Sequence, residues 1–423
     1  MPGSPTVPAG VPAPPFRLPG EHFAAALAFL VLGSLGLVCV APDLAHGLFP
    51  LPRVAGVTHL FTLGWITTSI MGALYQFLPV ALWVPIRSER WAHLSFWLYA
   101  PGLALFVAGL VLRRPELSLP GAALFGTGLL VFLVNLTITL VRARERGLTW
   151  WSLAGAALFL AATVALGVTL AANLRWGFLG GSRFLAVGVH LHLALAGWVM
   201  LVVIGVAHRL LPMFLLSHGA PEWPGRLAAV LVGGGALGLM LLYHAIPLAA
   251  FYLPAVLIGA GALSFVVQAR LYYRHRVRRV LDPGMRLAAI AVGFLVVGIA
   301  LAPIALARGP AAPGLMVGYL TTVIVGGFTL FVVAHYYKIV PFLVWYHRFG
   351  PLAGKRPVPR VAELYSARTA RVAVFFLAFG ALALSAGILA GAPGLARGAA
   401  VLFAGGAGVV VYQISGVLRR RPE

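Results

Sequence analysis

The sequence predicts an all-α integral membrane protein whose twelve transmembrane helices fall into three pseudo-symmetric units of four. Three observations predict it. Apolar residues make up 61% of the 423-residue chain and charged residues 9%, a balance that no soluble fold of this size keeps in solution. Apolar segments of about 20 residues, the length needed to cross a hydrocarbon core, recur twelve times along the chain. One pattern, H-x4-G-W-x6-G-x6-P, occurs twice, 133 residues apart, and a fainter third copy follows 129 residues later.

The expected spans are roughly 23–42, 55–82, 92–113, 119–142, 150–172, 184–216, 226–244, 248–274, 286–307, 313–346, 369–391 and 396–418. They form one membrane domain over 21–423, preceded by a Pro-rich tail, 1–20, expected to be disordered and cytoplasmic. That tail lacks the short apolar core of a signal peptide, so no cleavage is expected.

The pattern lies on the second, sixth and tenth spans, the motif helices 55–82, 184–216 and 313–346. It reads His59, Gly64, Trp65, Gly72 and Pro79, then His192, Gly197, Trp198, Gly205 and Pro212. The third copy keeps Gly326 and Pro341 and has Thr321 in the histidine position. The glycines suit close helix approach, and the prolines suit kinks where freed carbonyls find other partners.

Positively charged loops are retained in the cytoplasm. With the N-terminus inside, seven basic residues fall outside (Arg53, Arg113, Arg114, Arg175, Arg183, Arg308 and Arg397), leaving 24 of the 31 on the cytoplasmic side. The expectation is therefore a multi-pass protein of the inner, cytoplasmic membrane with both termini in the cytoplasm. The net charge of +22 is then explained by contact with anionic lipid headgroups. Nucleic acid is not expected as a partner, because no soluble element carries a basic face. A redox partner or an additional membrane subunit remains an open partner class.

Histidines carry the chemistry. An imidazole in the hydrocarbon region must be hydrogen-bonded, paired or ligated, which makes it a functional candidate. His59 and His192 recur at one depth of the repeat, so His59, His192 and His190 are the candidate metal and cofactor ligands. His190 and His192 point about 200° apart on a helix of 3.6 residues per turn, so they do not share one metal. Arg53 and Arg183 lie about 10 Å above His59 and His190 at 1.5 Å per residue, placed to pair with an acidic group of a cofactor. Trp65 and Trp198 are candidates to stack on a macrocycle or to fill the helix interface. The lone Cys39 excludes an internal disulfide and a multi-thiolate metal site.

Twelve spans in three groups of four, with His59 high in the second span and His190 and His192 on the sixth, resemble the catalytic subunit of heme-copper oxidases and nitric oxide reductases. The resemblance implies a heme-binding membrane protein, with b-type heme as the expected cofactor, His59 as a heme ligand and His192 or His190 in the position of a copper ligand. It implies an oxidoreductase or electron-transfer role. NnrS-type membrane proteins of nitric oxide metabolism are a second family with similar features. The chain departs from the oxidase pattern in three spans: the seventh, Arg226 to His244, lacks paired histidines; the tenth has Tyr319 and Thr321 where a heme-binding pair is expected, with His335 far deeper; and the sixth has Ala196, not a Tyr, four residues after His192. All nine acidic residues fall in loops, tails or span ends. The chain is therefore not expected to pump protons or to reduce oxygen at a copper-heme centre. A reading from another class is a transporter or metal- and cofactor-handling protein with His59, His192, His208 and His335 lining a route.

Overall fold

A computed structural model of the chain describes residues 14–242 and 248–422, and these form helices with no strand among them. Twelve helices are long and apolar enough to cross a membrane: α1 (Arg17–Ala45), α2 (Pro52–Ala81), α3 (Glu89–Val111), α4 (Pro115–Arg142), α5 (Leu148–Trp176), α6 (Gly180–Leu215), α7 (Trp223–Leu242), α8 (Tyr252–Arg274), α9 (Pro283–Arg308), α10 (Pro313–Leu352), α11 (Ala367–Leu389) and α12 (Pro393–Arg419). Each expected span corresponds to one of them, so the protein is a multi-pass helical membrane protein. Helices satisfy every backbone group internally, which hydrocarbon demands.

Helix starts follow local chemistry. Pro52, Pro115, Pro283, Pro313 and Pro393 each open a helix, where a missing N–H costs nothing and φ is preset. Ser88, Asp282 and Ser366 accept from the backbone N–H groups of Trp91, Met285 and Thr369, capping donors that a helix end leaves free. One expectation is corrected: residues 17–20, assigned to the disordered tail, begin α1, and Leu18 and Pro19 are buried. Gln76 donates to the carbonyl of Pro14, tying this segment to the C-terminal half of α2. Residues 1–13 and His244 lie outside the described residues.

α2, α6 and α10 are the central helices. In their most apolar stretches 72%, 67% and 72% of residues are buried, against 28–50% for the other nine spans. The most extensive pairings are α3 with α4, α7 with α8 and α11 with α12, and α12 packs against α1 to close the circuit. At the α3–α4 crossing, a Cβ on Gly109 would fall on the backbone of Ser118, so only glycine permits this separation.

The three central helices share a local deformation. Each carries an eight-residue π-helical segment, Leu60–Thr67, Leu193–Met200 and Thr322–Thr329, starting one residue after His59, His192 and Thr321. A widened turn leaves a carbonyl misaligned, and Leu63 shows the result: its oxygen accepts from the Thr68 hydroxyl and from Tyr99 Oη. Gly64, Gly197 and Gly326 face Phe29 of α1, Phe159 of α5 and Phe294 of α9, and a Cβ at any of them would collide with that side chain.

Polar groups within the spans pair locally. Asn135 donates to the Ser88 carbonyl and Gln268 to that of Pro221. Lys338 Nζ lies 2.8 Å from Asp282 Oδ2. Cys39 is free and exposed.

Candidate functional site

His59 and His190 face each other across the α2–α6 interface, their ring centroids 6.4 Å apart and their planes inclined by 32°. The α-helical turn before the π segment presents His59 beneath Ala55, and its Nδ1 donates to the Ala55 carbonyl at 2.7 Å. His190 is held from another helix: Nδ1 donates to the Thr163 carbonyl of α5 at 3.1 Å. Its ring lies over Gly167, where a Cβ would come 2.9 Å from Cε1. A carbonyl only accepts, so both Nδ1 atoms carry the proton and both Nε2 atoms present a lone pair. Neither Nε2 has a hydrogen-bond partner among the described residues. Phe106 of α3 packs edge-on against His59 at 5.2 Å, fixing the ring further.

Two cavities meet at this pair. One, of about 590 Å³, extends from Pro50, Pro52 and Arg183 at one end past both histidines to Thr67 and Trp198. The other, of about 190 Å³, lies among α2, α6 and α10, and His59 and His190 line it too. The pair therefore stands between two spaces, with apolar walls on both sides.

The sequence candidates separate into groups. His192 lines neither cavity: its Nδ1 donates to the Gly188 carbonyl at 2.8 Å, and its ring lies 6.3 Å from that of Tyr319, nearly parallel at 18°. Tyr319 stands two residues before Thr321, as His190 stands two before His192. Each of these contacts thus joins the histidine position of one motif helix to the position two residues earlier on the next.

Arg53 makes a bidentate pair with Asp43, at 2.8 and 2.7 Å. It does not line the larger cavity, because that carboxylate, ten residues earlier across a short loop, already takes its fork. Arg183 does line the cavity, lies over Phe184 at 4.7 Å, and has no carboxylate partner among the described residues. Trp198 is buried, lines the cavity floor and donates to Thr67 Oγ1 at 3.1 Å. Trp65 is buried elsewhere, 4.7 Å from Tyr336, with a long 3.4 Å contact from Nε1 to the Thr329 carbonyl.

Thr163, Gly167 and Asn173 of α5 were not candidates from sequence, and nothing in their spacing singles them out. The remaining histidines lie apart. His335 donates to the Phe331 carbonyl, and His208 pairs with Tyr272 Oη at 2.9 Å and approaches Glu222 at 3.8 Å. Among the described residues no three His, Cys, Asp or Glu side chains converge as a metal site. No protein-family model matches the chain, and no curated protein matches it.

Proposed function

We propose that the chain is a heme-binding membrane protein in which His59 and His190 hold a b-type heme between α2 and α6, and that its role is electron transfer in nitric oxide or oxygen metabolism. The observation that carries this reading is the opposed histidine pair. Two imidazoles that each gave one metal a nitrogen bond of about 2.0 Å would have ring centres about 6 Å apart. The 6.4 Å of His59 and His190 agrees with that, and both rings offer a free Nε2. The larger cavity, at about 590 Å³, lies in the size range of sites for cofactor-sized ligands.

When bound, such a group supplies one-electron redox chemistry at iron. The protein's own residues do the rest. The Ala55 and Thr163 carbonyls hold each imidazole in the tautomer that ligates, and hydrogen bonding of this kind raises ligand basicity. Arg183 and Asn173, both at the cavity wall, are suited to hold carboxylate substituents. Leu129, Leu160 and Phe125 keep water from the macrocycle. A covalent c-type attachment is disfavoured, since the only cysteine, Cys39, is exposed on α1.

The donor set does not fit copper. A copper site needs several converging nitrogen ligands, and the described residues bring two imidazoles together and no third. The transporter reading needed His59, His192, His208 and His335 along one route; of these, His59 alone lines the two cavities.

The three-unit arrangement is supported by the shared π-helical register, by the repeated glycine–phenylalanine packing, and by the cyclic pairing of α1 through α12. A heme-copper-oxidase-like ancestry accounts for such units. Charge supports the orientation: the 275–282 and 353–366 connections together hold six Lys and Arg against two acidic residues, in keeping with cytoplasmic termini and residence in the inner membrane.

An absorption spectrum of the purified protein tests the proposal. A Soret band with the sharp visible bands of a six-coordinate b-type heme is expected, lost in His59→Ala and in His190→Ala. A wild-type protein purified without a Soret band, and unable to take up added hemin, would remove it.

A further inference from the structure

We propose that His208, Glu222 and Tyr272 form a pH-sensitive latch at the C-terminal end of α6, which tightens when the imidazole takes up a second proton. His208 stands four residues before the motif proline Pro212, where the other two copies have Tyr75 and Tyr337. Only this copy therefore places at that position a group that changes charge between about pH 5 and 8. Its Nδ1 is hydrogen-bonded to Tyr272 Oη of α8 at 2.9 Å, and its Nε2 lies 3.8 Å from Glu222 Oε1, beyond hydrogen-bond range. The other carboxylate oxygen, Oε2, is 3.4 Å from Arg226 Nη2. Glu222 thus stands between a permanent cation and a conditional one. The groups facing the imidazole are Tyr272, Glu222, Arg226 and, on its own helix, Arg209, and Glu222 is the anion among them.

The backbone around Glu222 is fixed by other contacts. Gln268 of α8 donates to the Pro221 carbonyl and accepts from the Gly225 N–H, and Ser264 donates to the Pro224 carbonyl. A short antiparallel bridge pairs Ser217 with Arg276, where the Val277 N–H donates to the Leu216 carbonyl. The fold therefore holds the carboxylate near the imidazole, and side-chain motion alone closes the 3.8 Å gap. A neutral imidazole has one N–H and one lone pair, whereas imidazolium has two N–H groups. Tyr272 Oη then accepts from Nδ1, and Nε2–H is drawn to Glu222, where a charge-assisted bond is about 2.7–2.9 Å long. Protonation thus ties the end of α6 to α8 and to the connection leading into α7. The latch lies 18 residues beyond His190, about 27 Å at 1.5 Å per residue, and does not rest on the heme reading.

Trp223, exposed and next to Glu222, is a local probe. Fluorine NMR of the full-length protein labelled with fluorotryptophan, with Trp223→Phe to identify the resonance, reads its surroundings across about pH 5 to 8. The wild type is expected to show a Trp223 shift with a single midpoint. That shift is expected to be absent from His208→Gln and to move to lower pH in Glu222→Gln, which removes the anion that favours the charged imidazole. A Trp223 resonance that stays constant over this range, or that titrates in His208→Gln as in the wild type, would overturn the proposal. So would an unchanged midpoint in Glu222→Gln, since the imidazole would then not engage the carboxylate. Glu222 is 51% exposed, so its substitution leaves the packing intact and decides the matter if His208→Gln fails to fold.

Discussion

His59 and His190, separated by 131 positions in the chain, present their imidazoles to each other at 6.4 Å while each gives its Nδ1 proton to a backbone carbonyl. The two carbonyls differ in origin. Ala55 belongs to the same helix as His59, so that ring is oriented by one local turn; Thr163 belongs to α5, so the orientation of His190 depends on how α5 and α6 pack. The pair therefore has one locally fixed and one tertiary-fixed imidazole, and substitutions on three helices bear on it.

Removing either imidazole deletes half of the ligand set. His59→Ala and His190→Ala are expected to lower heme per protein by more than about tenfold, at least the scale on which even supporting groups act. His192→Ala, whose ring faces Tyr319, is expected to keep its heme. Pyridine-hemochrome quantification checks all three, and heme loss in His192→Ala alone would reverse the assignment.

Gly167 makes space for His190. A side chain there would meet Cε1 at 2.9 Å, so Gly167→Leu should displace the ring and weaken the Soret band toward that of His190→Ala. Size-exclusion behaviour should stay that of the wild type. An unchanged spectrum would show that the ring is not held against α5.

Arg53 and Arg183 are expected to behave differently. Arg183 has no carboxylate partner among the described residues, and Arg183→Gln should lower the heme midpoint potential, since removing a nearby positive charge favours the oxidised form. Arg53 does not line the cavity and is paired with Asp43, so the double variant Arg53→Gln, Asp43→Asn, which removes both charges together, should leave the potential close to wild type. Redox titration of both variants distinguishes them.

Trp198→Phe removes the N–H that reaches Thr67 Oγ1 at 3.1 Å. The expected loss is about 1 kcal/mol for the bond, seen as a lower melting temperature in detergent. Trp65→Phe should cost less for its own N–H, because a 3.4 Å contact is at the long limit of a hydrogen bond.

Reporter fusions in the 275–282 and 353–366 connections are expected to report cytoplasm. A periplasmic signal from either would reverse the orientation drawn from the Lys and Arg distribution.

The twelve spans and the three motif helices could be read from the amino-acid order; that those three are central came from their burial. Hydrocarbon admits only long apolar helices here, and close helix packing repeats its glycines. The same order gave His59 and His192 equivalent positions in the repeated motif, with His190 two residues before the second. It could not choose between His190 and His192, because side chains two apart on a helix point to opposite sides and both sides of α6 face other helices. Packing made that choice: α5 supplies the bare backbone of Gly167 and the Thr163 carbonyl on the His190 side, and α10 supplies Tyr319 on the other. Packing also took Arg53 away from the cavity, since Asp43 reaches it once α1 and α2 are side by side. Depth and composition are properties of single segments and are set locally; which groups meet is set by the rotation of each helix about its axis, and only the neighbouring helices fix that.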